Sequence, residues 1–398
     1  MADADSHRWL PTDLPQRRVI GCMSGTSLDG LDVVLVHIRG HGNAMTAEVV
    51  EHLAEPFEPE LRNTLRALAD DQPMAASAIT RASRQLGETH AALCRRLIDR
   101  HGPAHLVVPH GQTVCHLPPT AADTTGHTWQ MLDPWPIAQR CGAWVCLDLR
   151  QADVIAGGQG APITPIADPI LYPLDDAAAL NLGGVCNVTR WRRQLGGDAS
   201  ISGGDVWACN LALDGLVARL IDGARYDEDG NAAAAGTADP ALADAIERVI
   251  REAIPSSAEA GRSVSLGREQ FGPAFAERVI ETAGADVSPN DLLTSATEAV
   301  ARGIVAAVSA DPPTDAVVAG GGVRHRVLVE RIRAMLPGVN VRLSEELGVA
   351  SEAREAAAMA VLGTLAWDGE PITLPNVTGA RKTGIAGAWI APQPESHP

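Results

Sequence analysis

The chain has 398 residues, 45% of them hydrophobic and 20% charged, and a formal net charge of −17. That length suffices for two or three domains with real cores, and the acidic balance argues against non-specific nucleic-acid binding and against an anionic membrane surface. No apolar run approaches the roughly 20 residues that span a bilayer, and the opening MADADSHRWLPTDLPQRR lacks an apolar signal core, so residues 1–16 read as a loosely docked arm and the chain as cytoplasmic.

In chain order, a strand begins at 19–20. The segment GCMSGTSLDGLD at 21–32 turns from it into strands at 31–38 and 47–54. Helical periodicity covers 59–70 and 73–100, with Leu61, Leu65 and Leu68, then Leu86, His90, Leu93 and Leu97, on one face. A buried strand at 106–109 ends at His110-Gly111-Gln112-Thr113; a helix at 137–141 and a strand at 144–148 follow. A second start of the same kind comes near 177, with a strand at 178–182, the turn Gly183-Gly184 and a partner strand at 185–191. Helices are expected at 211–222, 240–253, 270–283 and 289–309. A strand at 316–318, the turn Gly320-Gly321-Gly322, a helix at 327–335, a strand at 340–343 and a helix at 353–367 complete the series. Two halves that each open strand, glycine turn, strand imply an α/β protein of two related domains facing a cleft. The boundaries read as 17–150 and 151–392, the last segment being a candidate to pack back on the first domain.

The turn at Gly25-Thr26-Ser27-Leu28-Asp29-Gly30 offers backbone N–H groups and hydroxyls to an anion and carboxylates to a metal ion. It is not a P-loop, because the only lysine in the chain is Lys382. It fails the hydrolase pattern G-x-S-x-G at Asp29. Gly320 and Gly322 fit the first half of a dinucleotide fingerprint, but His325 stands at the third glycine position; a nucleoside could still lie against such a backbone. His110, Gln112 and Thr113 cluster hydrogen-bonding groups suited to a sugar, and Asp148, Arg150 and Gln159 add acceptors and a guanidinium. Asp205 follows Gly204 in what reads as a turn, just before a helix, the position of an N-cap. The seven cysteines contain no Cys-x-x-Cys and read as reduced, mostly buried residues. Cys115-His116 with Cys141 and Cys146 has no zinc-site spacing.

Nine ordered blocks carry a resemblance: GTSLDGLD, HGQTV, DPWPIAQRCG, DLRQADVIAGGQGAPITP, NLGGVCNVT, SLGREQF, AGGGVRH, EELGVASEAREAAAMAVLG and LPNVTGA. From about Val19 to about Ala391 the chain resembles the anhydro-N-acetylmuramic acid kinase family of the hexokinase, heat-shock-70 and actin superfamily. The resemblance implies two RNase-H-like domains, ATP and Mg²⁺ as cofactors, and an amino-sugar substrate. It implies that Gly25, Thr26, Ser27, Leu28, Asp29, Gly30, Leu31 and Asp32 form a first phosphate site, with Asp29 and Asp32 toward Mg²⁺. Asn181, Gly183 and Gly184 would form a second phosphate turn, and Gly320, Gly321 and Gly322 would cover the adenosine. Asp205 matches the family's catalytic base, Glu355 a glutamate near the sugar, and His110, Gln112, Thr113, Asp148, Arg150 and Gln159 the substrate-side blocks. Family members cleave the 1,6-anhydro bridge of the cell-wall sugar and phosphorylate O6, which feeds peptidoglycan recycling. A homodimer is an expected assembly.

One block departs. The family usually reads Gly-Phe-Asp-Thr-Gly-Pro-Gly-Asn; this chain reads Gly203-Gly204-Asp205-Val206-Trp207-Ala208-Cys209-Asn210. A bulky indole beside the base is expected to narrow the acceptor pocket. Val323-Arg324-His325 also replaces the usual Ala-His-Asn, and Leu132 stands where a glycine precedes Asp133. These changes keep two alternatives open: an ATP-dependent paralogue with another hydroxylated acceptor, or a nucleotide-binding pseudo-kinase.

Overall fold

The computed structural model describes residues 14–25, 28–120, 125–193, 199–255, 266–267 and 269–393. The described residues divide into two compact units: one holds those up to Pro173 and those from Ala353 onward, the other Leu174–Arg193 and those of Ser200–Glu352.

In the first unit, β1 (Arg17–Met23), β2 (Gly30–Arg39) and β3 (Thr46–Pro56) form an antiparallel run. The chain then passes through the helices Pro59–Ala69 and Ala76–His101 to β4 (Leu106–Pro109), which lies parallel to β1 on its other side. β5 (Gln112–Leu117) and β6 (His127–Met131) make a separate antiparallel hairpin, and β7 (Trp144–Leu147) pairs parallel with β4. The interiors of β1, β2 and β4 are almost wholly apolar because helices bury them, as in parallel sheets generally. Helix Ala76–His101 turns Leu86, His90, Leu93 and Leu97 inward, at the spacing the sequence predicts.

The second unit repeats this plan. β8 (Asp176–Leu182) pairs antiparallel with β9 (Val185–Arg193), and β10 (Ala199–Ala208) flanks β9. After a run of helices, β11 (Asp315–Ala319) lies parallel to β8, and β12 (Asn340–Leu343) parallel to β11. The spatial order is β10-β9-β8-β11-β12, matching β3-β2-β1-β4-β7 of the first unit: third, second, first, fourth, fifth. A shared order with shared strand directions makes the units two α/β domains of one RNase-H-like type. β13 (Ala388–Ile390) adds to the first sheet, antiparallel to β7, and helix Arg354–Asp368 packs on β1, β2 and β4.

Helix Pro289–Ser309 starts with Ser288 accepting from the Asp291 N–H and with proline at its first position. It is long and apolar enough to cross a bilayer by length and composition, contrary to the sequence expectation, but 78% of its apolar window is buried inside the fold. It is the central core helix of the second unit, flanked by Leu213, Leu216, Ile246 and Leu328.

Among the elements absent from the sequence reading are β10, the hairpin β5–β6 and the short helix Gln151–Ile155. Asp205 lies inside β10, so it is neither in a turn nor a helix N-cap; Cys209 holds that position before helix Asn210–Leu220. All seven cysteines are free and all but Cys115 are buried. Among the described residues no group of three His, Cys, Asp or Glu side chains could hold a metal ion.

Candidate active site

The first unit builds one polar cluster where β1 and β4 end side by side. Leu28 N–H closes the glycine turn onto the Gly25 carbonyl at 3.3 Å, and Asp29 O accepts from Phe57 N–H at 3.1 Å. Buried Ser24 donates to Gly111 O at 2.9 Å, and Gln112 Nε2 donates to Gly25 O at 3.2 Å. The strand-end block His110-Gly111-Gln112 is thus bonded directly to the turn Gly25–Gly30. Thr26 and Ser27 lie outside the described residues. Leu31 is buried in the core. Asp32 points from β2 to His52 on β3, with 2.7 Å between Oδ1 and Nε2. Asp29 is exposed in the turn.

His110 is buried, and Arg150 Nε donates to its Nε2 at 2.8 Å. The ring proton therefore sits on Nδ1, which donates to Gly111 O at 2.8 Å. Burial, with the Arg150 charge adding to it, holds the imidazole down to about pKa 3, so it stays neutral. Arg150 also donates to Gly160 O at 2.7 Å. Burial lowers the guanidinium to about 10, opposed by the negative charges of Glu355 and Asp153. Glu355 occupies the first turn of helix Arg354–Asp368, so it joins this cluster from the far end of the sequence. Asp148, at φ 57° after β7, is pushed up by burial. Gln159 donates to Pro119 O at 3.2 Å, and its backbone N–H to Thr378 O at 2.9 Å.

Sequence reasoning missed two positioning residues. Asp153 is 2% exposed and accepts from Thr378 Oγ1 at 2.6 Å and from Gly160 N–H at 2.7 Å. The pair ties the block LPNVTGA to the loop GGQGAP. Only the shared polarity of those two blocks hinted at it. Beside this cluster, one guanidinium nitrogen of Arg354, Nη2, reaches both carboxylate oxygens of Asp168 at 2.7 Å in a buried ion pair that anchors the start of the Glu355 helix.

In the second unit the glycine turns meet. β11 is registered against β8 so that Ala319 faces Asn181. Gly320 has φ 88°, and a Cβ there would lie 2.7 Å from Asn181 Oδ1 and 2.9 Å from Leu182 O. Only glycine satisfies both the conformation and the approach. Asn210 N–H donates to Gly183 O at 3.1 Å and Leu211 N–H to Gly184 O at 2.8 Å. Asn210 Nδ2 donates to Leu182 O at 3.2 Å. These contacts join Gly183-Gly184, Gly320–Gly322 and the start of helix Asn210–Leu220. A cavity of about 260 Å³ opens beside them, lined by Asn210, Asp214, Asp227, Gly321, Gly322 and His325 among others. Burial raises the Asp214 carboxyl to about 6. His325 Nδ1 accepts from Leu328 N–H at 3.3 Å, so the ring caps helix Arg326–Met335 as an asparagine would; this explains why histidine is accepted where the family usually has Asn.

Asp205 Oδ2 accepts from Leu266 N–H at 2.9 Å, and burial raises its pKa against that bond. A carboxylate raised toward neutrality is suited to general-base work. Trp207 does not narrow an acceptor pocket. It is 5% exposed in the core of its unit, packed on Gly303 so closely that a Cβ there would run into the ring. Arg251 Cζ lies 5.3 Å from the ring centroid. The missing side chain at Gly303 supplies the room that the indole fills.

Comparison with known proteins identifies the family. The family profile described as anhydro-N-acetylmuramic acid kinase matches residues 17–392. Among curated relatives, the anhydro-N-acetylmuramic acid kinase of Salinibacter ruber is 36% identical over 95% of this chain and 97% of its own length. That of Streptomyces coelicolor is 35% identical over 93% of both chains, and that of a Synechococcus species 33% identical over 94% of this chain and all of its own. The chain belongs to the anhydro-N-acetylmuramic acid kinase family, phosphotransferases that act on a sugar hydroxyl.

Proposed function

We propose that this chain opens the 1,6-anhydro ring of 1,6-anhydro-N-acetylmuramic acid and transfers the γ-phosphoryl group of ATP to O6, releasing N-acetylmuramic acid 6-phosphate and ADP in the cytoplasm. One observation carries the reading: Ser24 to Gly111 O and Gln112 to Gly25 O lock the sugar-matching block onto the first phosphate turn. Phosphoryl transfer to a sugar hydroxyl needs those two jobs held at fixed separation.

The roles follow from the side chains. Asp205 takes a proton from the water whose oxygen bonds to the anomeric carbon; the C1–O6 bond breaks, and O6 displaces ADP from the γ-phosphorus. A raised pKa strengthens Asp205 as a proton acceptor. Neutral His110 fixes Arg150, whose charge and that of Glu355 orient the sugar's polar substituents. Gly320–Gly322 and the cavity beside them suit a nucleoside, since the turn presents backbone without side chains. Exposed Asp29 is the carboxylate we assign to Mg²⁺, because that ion keeps several waters and takes one or two carboxylates with the phosphates. Bound there, Mg²⁺ would offset charge on the transferring group. Burial of Trp207 in the core takes away the main sequence argument for a different acceptor.

The test is ADP release from purified protein with ATP, Mg²⁺ and the anhydro sugar, with the phosphorylated product identified by mass. Turnover that collapses in Asp205→Asn is expected. Turnover only with another hydroxylated acceptor, or nucleotide binding with none, refutes it.

A further inference from the structure

The hairpin β5–β6 carries a buried polar face that the roles above leave unused. Gln130 is 5% exposed and Thr128 7% exposed, and His116 is paired across from Thr128. This face looks onto the loop that holds Arg150 and Gln159: Gln151 Nε2 donates to Thr128 O at 2.7 Å, and the His116 ring lies against Gly160. A buried polar layer is costly unless each group is partnered, and an apolar layer would serve stability better.

Gln112 Oε1, at the start of β5, and Gln130 Oε1 are the hairpin's buried polar side-chain atoms without a partner among the described residues, and Gln130 is the one within this face. Thr128 Oγ1 donates to Cys115 O at 3.4 Å and accepts from Gln130 Nε2 at 2.8 Å, and His116 Nδ1 lies 3.0 Å from it. Thr113 Oγ1 accepts from Gln130 Nε2 at 3.2 Å. Both amide protons of Gln130 are therefore spent on threonine hydroxyls, which fixes the amide's orientation. Its Oε1 is buried with no protein partner. A held amide with a bare carbonyl oxygen is a preset acceptor for an incoming N–H or O–H.

Resting on the proposed sugar-kinase reading, we propose that Gln130 is a further specificity-determining residue, its amide oxygen accepting a hydrogen bond from a neutral donor on the sugar. The anhydro sugar offers two such donors, the 4-hydroxyl and the acetamido N–H. Thr113, Thr128 and His116 act as positioning residues behind it.

Two variants separate this role from a structural one. Gln130→Met keeps the length but removes both donor and acceptor. Gln130→Glu keeps an acceptor oxygen and loses the donors to Thr113 and Thr128. Sugar KM should rise about 5- to 150-fold in Gln130→Met, the range for an unmade buried hydrogen bond, with ATP KM unchanged. Gln130→Glu should retain clearly more sugar affinity. The 4-deoxy or the N-methylated sugar should lose the same factor with the unaltered enzyme and lose nothing further with Gln130→Met. Equal sugar KM rises in both variants would show that Gln130 only braces the hairpin. A sugar KM unchanged in folded Gln130→Met would show that a water fills the position. Either result overturns the inference and leaves the kinase reading standing. No turnover of the anhydro sugar by the unaltered protein would sink the kinase reading, and this inference with it.

Discussion

The two units share a strand order but finish their fourth strand differently. β4 runs into His110-Gly111-Gln112, and β11, in the corresponding place, runs into Gly320-Gly321-Gly322. In the first unit the strand end bears side chains that reach the neighbouring turn and Arg150. In the second it bears none, and the backbone closes on Asn181 and Leu182 with a cavity alongside. On the proposed reading, one scaffold serves two kinds of ligand: a sugar, with many hydroxyls, would be read by oriented side chains, and a nucleoside by bare backbone approach. The same contrast explains why glycine spacing alone failed to fit a standard nucleotide motif: the partner surface is the neighbouring strand end, far away in sequence.

This division can be broken residue by residue. The largest effect is expected from Asp205→Asn, because it removes the base and leaves both strand-end turns intact. Acceptor-dependent ADP release should fall about 10²–10⁴-fold, while ATP binding, followed by calorimetry, stays near its original value. Next comes Gly320→Ala. An alanine at φ 88° pays strain of about 1–3 kcal/mol and meets Asn181. ATP KM should rise by about 5- to 150-fold with sugar KM little changed; a rise in sugar KM instead would refute the assignment of jobs to the two turns. Arg150→Met tests the other side. It strips His110 Nε2 and Gly160 O of their donor, and sugar KM should rise about 10-fold with ATP KM steady.

Legibility in the sequence followed the ordinariness of each element. Helix Pro289–Ser309 and the strands β1, β2 and β8 were plain because their apolar residues fall on the expected faces. The hairpin β5–β6 was not, because its pattern is inverted: Trp129 and Leu117 are 46% and 59% exposed while Gln130 and Thr128 are buried. Alternation that puts polar residues inside signals a ligand-facing layer, and hydrophobicity alone cannot reveal it. β10 was hidden for a different reason. Its Ser202-Gly203-Gly204-Asp205 stretch has the composition of a turn, and only pairing with β9 holds it extended. Only the family resemblance therefore points to Asp205 as a base, and its setting is a strand where the sequence reads a turn. The salient sequence departure, Trp207, is a core residue whose ring packs on Gly303, 96 positions away in the numbering.

The smallest effect sharpens the comparison by its pH dependence. Asp214 lines the second unit's cavity, and burial raises it to about 6 from the ordinary 3.8. Above that value the folded protein carries a carboxylate that its surroundings disfavour. As pH falls through about 6, the folded state takes up a proton that the unfolded chain does not bind until about 4, so this site gains stability toward acid. His110 runs the other way. Held to about 3, it stays neutral in the fold while the unfolded chain protonates near 6.5, so its contribution is lost as pH falls from about 6.5 toward 3. Asp214→Asn should therefore raise the melting temperature by a few degrees at about pH 8, with the gain vanishing by about pH 4. His110→Gln should show its advantage only on the acid side. Thermal unfolding of the two variants across that range separates the units by the sign of their response: one houses a carboxylate that burial disfavours, the other an imidazole whose charging burial disfavours. A gain in Asp214→Asn that persisted at about pH 4 would mean that something other than carboxylate burial sets the cost.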